Sequence, residues 1–211
     1  MTPRLPSPRG RARARGYTVV ELLMSLTVLA LGVAGILGMQ RVTISSNRHA
    51  RSLHVATRVA EAWADQLATD AMLWTFDSAG ASTLGNTTWL KSADPTTPTG
   101  WYVPAWSAAR MFGPAFDPLG NPIDPTARAK LGHFCAHIAL TFMHSETVPT
   151  RGNGAVRAQI RVFWRRDDSA TAPPGGDDLC SIDAAQFDSN QDSLHVVRLT
   201  TAVRQTPRGR L

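Results

Sequence analysis

The segment that most restricts this chain runs from Leu22 to Met39, eighteen residues without a charge, with Glu21 at its head. The wider stretch Tyr17–Gln40 is interrupted only by that carboxylate. As a helix rising 1.5 Å per residue it is about 36 Å long, enough to cross a hydrocarbon core of roughly 30 Å. Arg4, Arg9, Arg11, Arg13 and Arg15 precede it, with no acid among residues 1–16. The positive-inside rule keeps such a leader cytoplasmic and sends the rest across the membrane; Arg41, Arg48 and Arg51 weaken that asymmetry without reversing it. An ordinary cleaved secretory signal fits less well. The run exceeds an apolar signal core of roughly 7–15 residues, carries Glu21 near its start, and is followed by continuing helical periodicity.

The leader also accounts for the charge. The chain is formally +6, yet residues 17–211 hold 17 basic against 16 acidic residues, so the bulk of the protein is close to neutral. A nucleic-acid or anionic-surface role therefore does not follow from composition. With 211 residues the chain is expected to build one core plus an attachment segment. Six Trp and seven Phe provide the apolar bulk for it.

No proline lies between Pro8 and Pro95. Beyond Gln40, Leu53, Ala56, Ala60, Trp63, Leu67 and Ala71 recur at steps of three and four, with Arg58, Glu61, Asp65 and Asp70 largely on the other side of the wheel. The spacing predicts one helix from Tyr17 to Met72, apolar all round in its first half and along one stripe in its second. Gly32, Gly35 and Gly38 each weaken its middle by about 1 kcal/mol relative to alanine. They read equally well as close packing against small-residue surfaces and as a soft stretch.

Glu21 is costly in lipid, about 2.5 to 3.5 kcal/mol for an acidic residue at the centre of a membrane helix, and it calls for a partner. The residues around it match a known signal. Gly16-Tyr17-Thr18-Val19-Val20-Glu21-Leu22 resembles the class III signal of type IV pilins and type II secretion pseudopilins: a short basic leader ending in Gly, an aromatic residue, three small or apolar residues, then Glu. Tyr17 stands where phenylalanine is usual. The resemblance implies that a membrane-embedded prepilin peptidase cuts between Gly16 and Tyr17 and methylates the new amino terminus. It also implies that Glu21, then fifth in the chain, pairs with the terminal amine of a neighbouring subunit. Pairing an isolated carboxylate with an isolated ammonium removes two penalties at once and rewards one helix register.

Within the family, LTVLALGVAGILGMQ resembles the PilV-like minor pilins, and the likeness covers about residues 11–72. The organisation it implies is a leader (1–16), a transmembrane assembly helix (17–40), an amphipathic continuation (41–75) and an exported domain (76–211). The implied partners are the prepilin peptidase, other major and minor pilins and the inner-membrane assembly platform. The implied location is a single pass through the inner membrane with a periplasmic domain, then the pilus. A type II secretion pseudopilin and a DNA-binding competence pilin are the alternatives.

The exported part shows strand signals. Ala155–Arg166, His133–His144 and Leu194–Gln205 alternate with a period of two, and a shorter strand is expected at Trp101–Trp106, limited by Pro104. The fold class is therefore α+β, a long N-terminal helix packed on an antiparallel sheet; periodicity reaches this without the family. Pro114–Lys130 and Asp167–Ser193 read as long irregular connections. The second contains Cys180. In an oxidising periplasm a Cys135–Cys180 bridge is expected to pin it to the sheet.

No catalytic motif is recognisable: no nucleophile elbow, no HExxH, no phosphate-cradling loop and no paired carboxylates. The chain is read as a non-enzyme without cofactor or metal. Asp188, Asn190 and Asp192 alternate as in a calcium loop, but Ser193 and Leu199 stand where glycine and the bidentate Glu belong, which favours solvated loop acids. His133, Cys135 and His137 share a strand face without a fourth zinc ligand, and read as partly exposed histidines. Arg157, Arg161, Arg165 and Arg166 read as the solvated side of a strand rather than a DNA contact, and nucleic acid is not an expected partner.

Overall fold

The computed structural model describes residues 18–124, 132–144, 154–166 and 178–206. The chain divides into two compact units, Met1–Arg48 and His49–Leu211. Helix α1, Val19–Ala71, is continuous through 53 residues. Thr18 opens it: its Oγ1 accepts a hydrogen bond from the Glu21 amide at 3.3 Å, the bond made by an N-cap hydroxyl. Every residue from Thr18 to Arg51 is exposed. From there a stripe of Ala56, Val59, Ala60, Trp63, Leu67 and Ala71 is buried. Leu53, expected on that stripe, is still largely exposed, so the core begins one turn later than periodicity suggests.

Strands β1 (Ala115–Phe116), β2 (Pro122–Ile123), β3 (Phe134–His144), β4 (Ala155–Arg165) and β5 (Leu194–Arg204) form one antiparallel sheet in the order β2-β1-β3-β4-β5. The three long strands occupy the three alternating runs. The fold is thus the expected α+β arrangement, a long helix packed on an antiparallel sheet. Phe134, Ala136, Ile138 and Leu140 of β3, and Ala158, Ile160, Val162 and Trp164 of β4, share one core with the buried stripe of α1. Trp63 is its centre, edge-on to Trp89 at 5.2 Å and to Phe112 at 4.9 Å.

Three expectations are corrected. Trp101–Trp106 is not a strand: only Tyr102 bridges to Ile138, because Pro104 lacks a donor and β1 occupies the start of the same β3 edge. Pro114–Lys130 is not wholly irregular. Its described part forms the β1–β2 hairpin, turned by Asp117, whose Oδ1 accepts from the amides of Leu119 and Asn121, both at 2.8 Å. Gly120 there has φ +87° and lies where a Cβ would meet Val55 of α1 at 3.0 Å, so both conformation and space call for glycine.

The third correction concerns residues 178–193, which are organised rather than irregular. They carry a short helix, α2 (Ala184–Ser189), started by a reciprocal capping box between Asp183 and Gln186. This segment covers the sheet face opposite α1. Phe163, Phe187, Leu179, Ile182 and Leu194 make a second small core with Cys135. β3 and β4 are consequently buried on both faces over much of their length, not half-buried as their alternation suggested.

Candidate functional site

Four groups of residues bear on function, and each rests on a different element. The first is the head of α1. Glu21 lies in the first turn, exposed, where the helix dipole favours a carboxylate. Thr18-x-x-Glu21 has the spacing of a capping box, of which the Thr18 half is formed. Local structure thus stabilises a carboxylate here but leaves its side chain open to a second partner. Gly16 and Tyr17 lie outside the described residues.

The second is the bridge. Cys135 on β3 and Cys180 beside α2 are joined as a disulfide, with Cα atoms 5.3 Å apart and 45 residues of separation. Closing a loop of that length restrains the unfolded chain by about 4 kcal/mol on the chain-entropy account. The bridge fastens the α2 segment onto the outer face of the sheet.

Beneath that segment lies the third group, centred on Arg161 of β4. Expected on a solvated face, Arg161 is fully buried. Its guanidinium lies 3.9 Å from the centre of the Phe187 ring and 4.6 Å from that of Trp101. Its Nη1 donates to Asp188 Oδ1 at 3.2 Å, while Nε and Nη2 reach His137 Nδ1 at 3.2 and 2.9 Å. Arginine has only donors, so Nδ1 accepts and His137 is the neutral ring with its hydrogen on Nε2. Burial, reinforced by the Arg161 charge, pushes the His137 pKa down to about 4, against the opposing pull of the Ile182 backbone and of Asp183 and Asp188.

Those contacts correct several readings at once. His137 is buried rather than partly exposed, and Cys135 is taken up by the bridge. Asp188 belongs to α2 and is held by Arg161 rather than converging with Asn190 and Asp192. Among the described residues no three His, Cys, Asp or Glu side chains gather in a way that holds a metal ion. Of the four arginines read as one solvated side, Arg157 alone is exposed, and Arg165 and Arg166 are half-buried.

The fourth group was missed in the sequence. Asp70, placed by periodicity away from the core stripe, is fully buried at the end of α1. One oxygen accepts from the Thr88 amide at 2.8 Å and from Arg110 at 3.0 Å; the other accepts from the amides of Trp89 and Leu90 at 2.8 and 3.1 Å. A carboxylate near a helix C-terminus is ordinarily unfavourable. Here three main-chain donors and a guanidinium offset that cost, and Asp70 ties the long 72–113 connection to the helix. No local signal marks it, since its partners lie 18 to 40 residues away.

None of these groups has the geometry of a reaction centre: a nucleophile beside a base, or an acid and base facing a common space. They are arrangements that hold one polypeptide together or leave part of it exposed. Compared with known proteins, the chain matches no family model, no curated protein and no solved structure.

Proposed function

We propose that this chain is a minor pilin: a bacterial inner-membrane precursor cut between Gly16 and Tyr17 by prepilin peptidase, methylated, and incorporated into a type IV pilus or the complex that primes its assembly. The observation that carries the reading is the conjunction at the head of α1. An arginine-rich leader ends in glycine, an aromatic residue follows, Glu21 comes fifth, and the apolar run then continues in one helix long and apolar enough to cross a membrane. Two further features support it. The first stretch of α1, exposed among the described residues, presents an apolar surface, and the last four turns of the helix are built into a sheet domain.

The mechanism is packing. Before assembly the run Tyr17–Gln40 lies in lipid. In the fibre it joins a bundle of like helices, where the Glu21 carboxylate meets a neighbouring terminal amine and penalises every other register. The bridged domain remains outside. Of the four arginines on which the competence-pilin alternative rests, Arg157, Arg161, Arg165 and Arg166, Arg161 is occupied by Asp188 and His137 and is closed to solvent.

Intact mass and N-terminal sequencing of the protein from membranes test the reading. The expected product begins at methylated Tyr17 in cells with the peptidase and keeps residues 1–16 in cells without it. A product beginning near Gly35, or an uncut chain in both, overturns the proposal.

A further inference from the structure

The open edge of β5 carries information that the assembly helix does not. The β4–β5 ladder pairs Arg165 with Leu194 through to Ala155 with Arg204, without a bulge. At its two ends the Arg166 amide donates to Ser193 O at 3.0 Å and the Gln205 amide to Gly154 O at 2.9 Å. In an antiparallel pair, hydrogen-bonded positions alternate with positions whose main-chain groups point away. Ser193 and Gln205 both turn toward β4, so the odd residues between them do the same. The even residues, Val196, Arg198, Thr200 and Ala202 among them, direct N–H and C=O to the other side. Among the described residues no strand pairs there.

The protection of that edge is limited to two charged side chains, Arg198 and Arg204. It is eleven residues long, straight in register, and holds neither proline nor lysine. Its outward side chains, Val196, Arg198, Thr200, Ala202 and Arg204, are exposed. Its other side contributes Val197 and Leu199, only partly covered by the main core. The strands β3, β4 and β5 contain no Asp or Glu at all. Among the described residues, Asp188 and Asp183 approach this face from the α2 segment; Asp188 is engaged by Arg161 and Asp183 by the Gln186 amide. Among the described residues neither Arg198 nor Arg204 has an ion pair.

We propose that β5 accepts an added antiparallel strand from a partner polypeptide whose outward residues are acidic, with two carboxylates six residues apart facing Arg198 and Arg204. A separation of six keeps both on one side of an extended strand and spans about 20 Å. Between them the partner places apolar residues on the opposite side, extending the core past Val197 and Leu199. A second copy's β5 does not fit the part, since it brings two more arginines and no carboxylate. The surface does not depend on the reading of the N-terminal segment.

The test uses the full chain in detergent and a labelled, end-blocked peptide, Glu-Val-Thr-Val-Thr-Val-Glu. Fluorescence anisotropy is expected to show saturable binding, and hydrogen exchange to show slowing at the amides of Val196, Arg198, Thr200 and Ala202. Combining Arg198→Glu with Arg204→Glu should weaken binding at least about tenfold and favour a peptide ending in lysines. Thr200→Pro removes an outward donor without touching the β4 ladder, and should abolish binding while the domain melts as a folded unit. Three results overturn the proposal: no saturable binding, binding without slowed exchange along β5, or equal binding of a reordered peptide whose acids fall on opposite sides of the strand. The last would mean attraction of charge alone, as for any polyanion.

Discussion

The two stretches of α1 obey the same backbone rules and solve opposite problems. From Thr18 to Arg51 the side chains are exposed, although most of the first half is apolar; from Ala56 to Ala71 a narrower apolar stripe is buried by the chain's own strands. Amphipathicity in the second stretch is matched by a sheet that the same sequence encodes. Uniform apolarity in the first has no such match among the described residues, and the stretch is long and apolar enough to cross a membrane. A helix can therefore be complete as secondary structure while only part of it is complete as tertiary structure.

That contrast should be largest in core truncations. Trp63→Ala is expected to cost the His49–Leu211 unit about 3–5 kcal/mol, whereas Leu29→Ala should leave its melting unchanged. Equal losses measured by urea unfolding in detergent would mean that the first stretch also belongs to the core. Next, reduction of Cys135–Cys180 should cost up to about 4 kcal/mol. The loss should centre on the α2 side, with faster exchange at Leu179–Phe187 than at the buried stripe of α1.

A third prediction concerns acid. His137 has a folded pKa of about 4, below its ordinary 6.5, so the unfolded chain binds the proton more readily. The stability from keeping the ring neutral is fully present above pH 6.5 and is lost as pH falls toward 4, by about 3 kcal/mol at most. His137→Gln should flatten that slope in pH-dependent unfolding, and an unaltered slope would assign acid sensitivity elsewhere. Smallest for the domain is Glu21→Gln. It should leave melting unchanged, and as a test of the proposed pilin role incorporation into filaments, followed by immunoblot of sheared material, should drop severely. Lost melting stability would tie Glu21 to the fold instead.

What the sequence made legible was periodic. The alternating runs placed β3, β4 and β5, and the three-four spacing placed the buried stripe, because each pattern reflects a single local geometry. Less legible were residues whose surroundings come from far along the chain. Arg161 follows the period of a solvated side until α2 covers it, and Asp70 looks like a surface acid until Arg110 and three amides converge on it. Both are polar groups whose burial is decided by distant partners. The Asp183-x-x-Gln186 box that starts α2 was readable by spacing but stood in a stretch poor in apolar periodicity. Glu21 stood out in the sequence for a different reason, as a charge at the head of a run that otherwise avoids charge.

The last carbonyls of α1 are closed first by the amides of Met72, Leu73 and Trp74, and then, at Ala71, by a residue far along the sequence as well. Thr206 donates through Oγ1 to Ala71 O at 3.1 Å, and its amide donates to Trp74 O at 2.9 Å, across 135 residues in the first case. Ala71 O therefore accepts twice, from Trp74 three residues on and from Thr206 after the last strand, so a local turn and a distant segment are joined at one carbonyl. Thr206→Val would keep the local turn and loosen only the tether between the helix end and the segment that leaves β5.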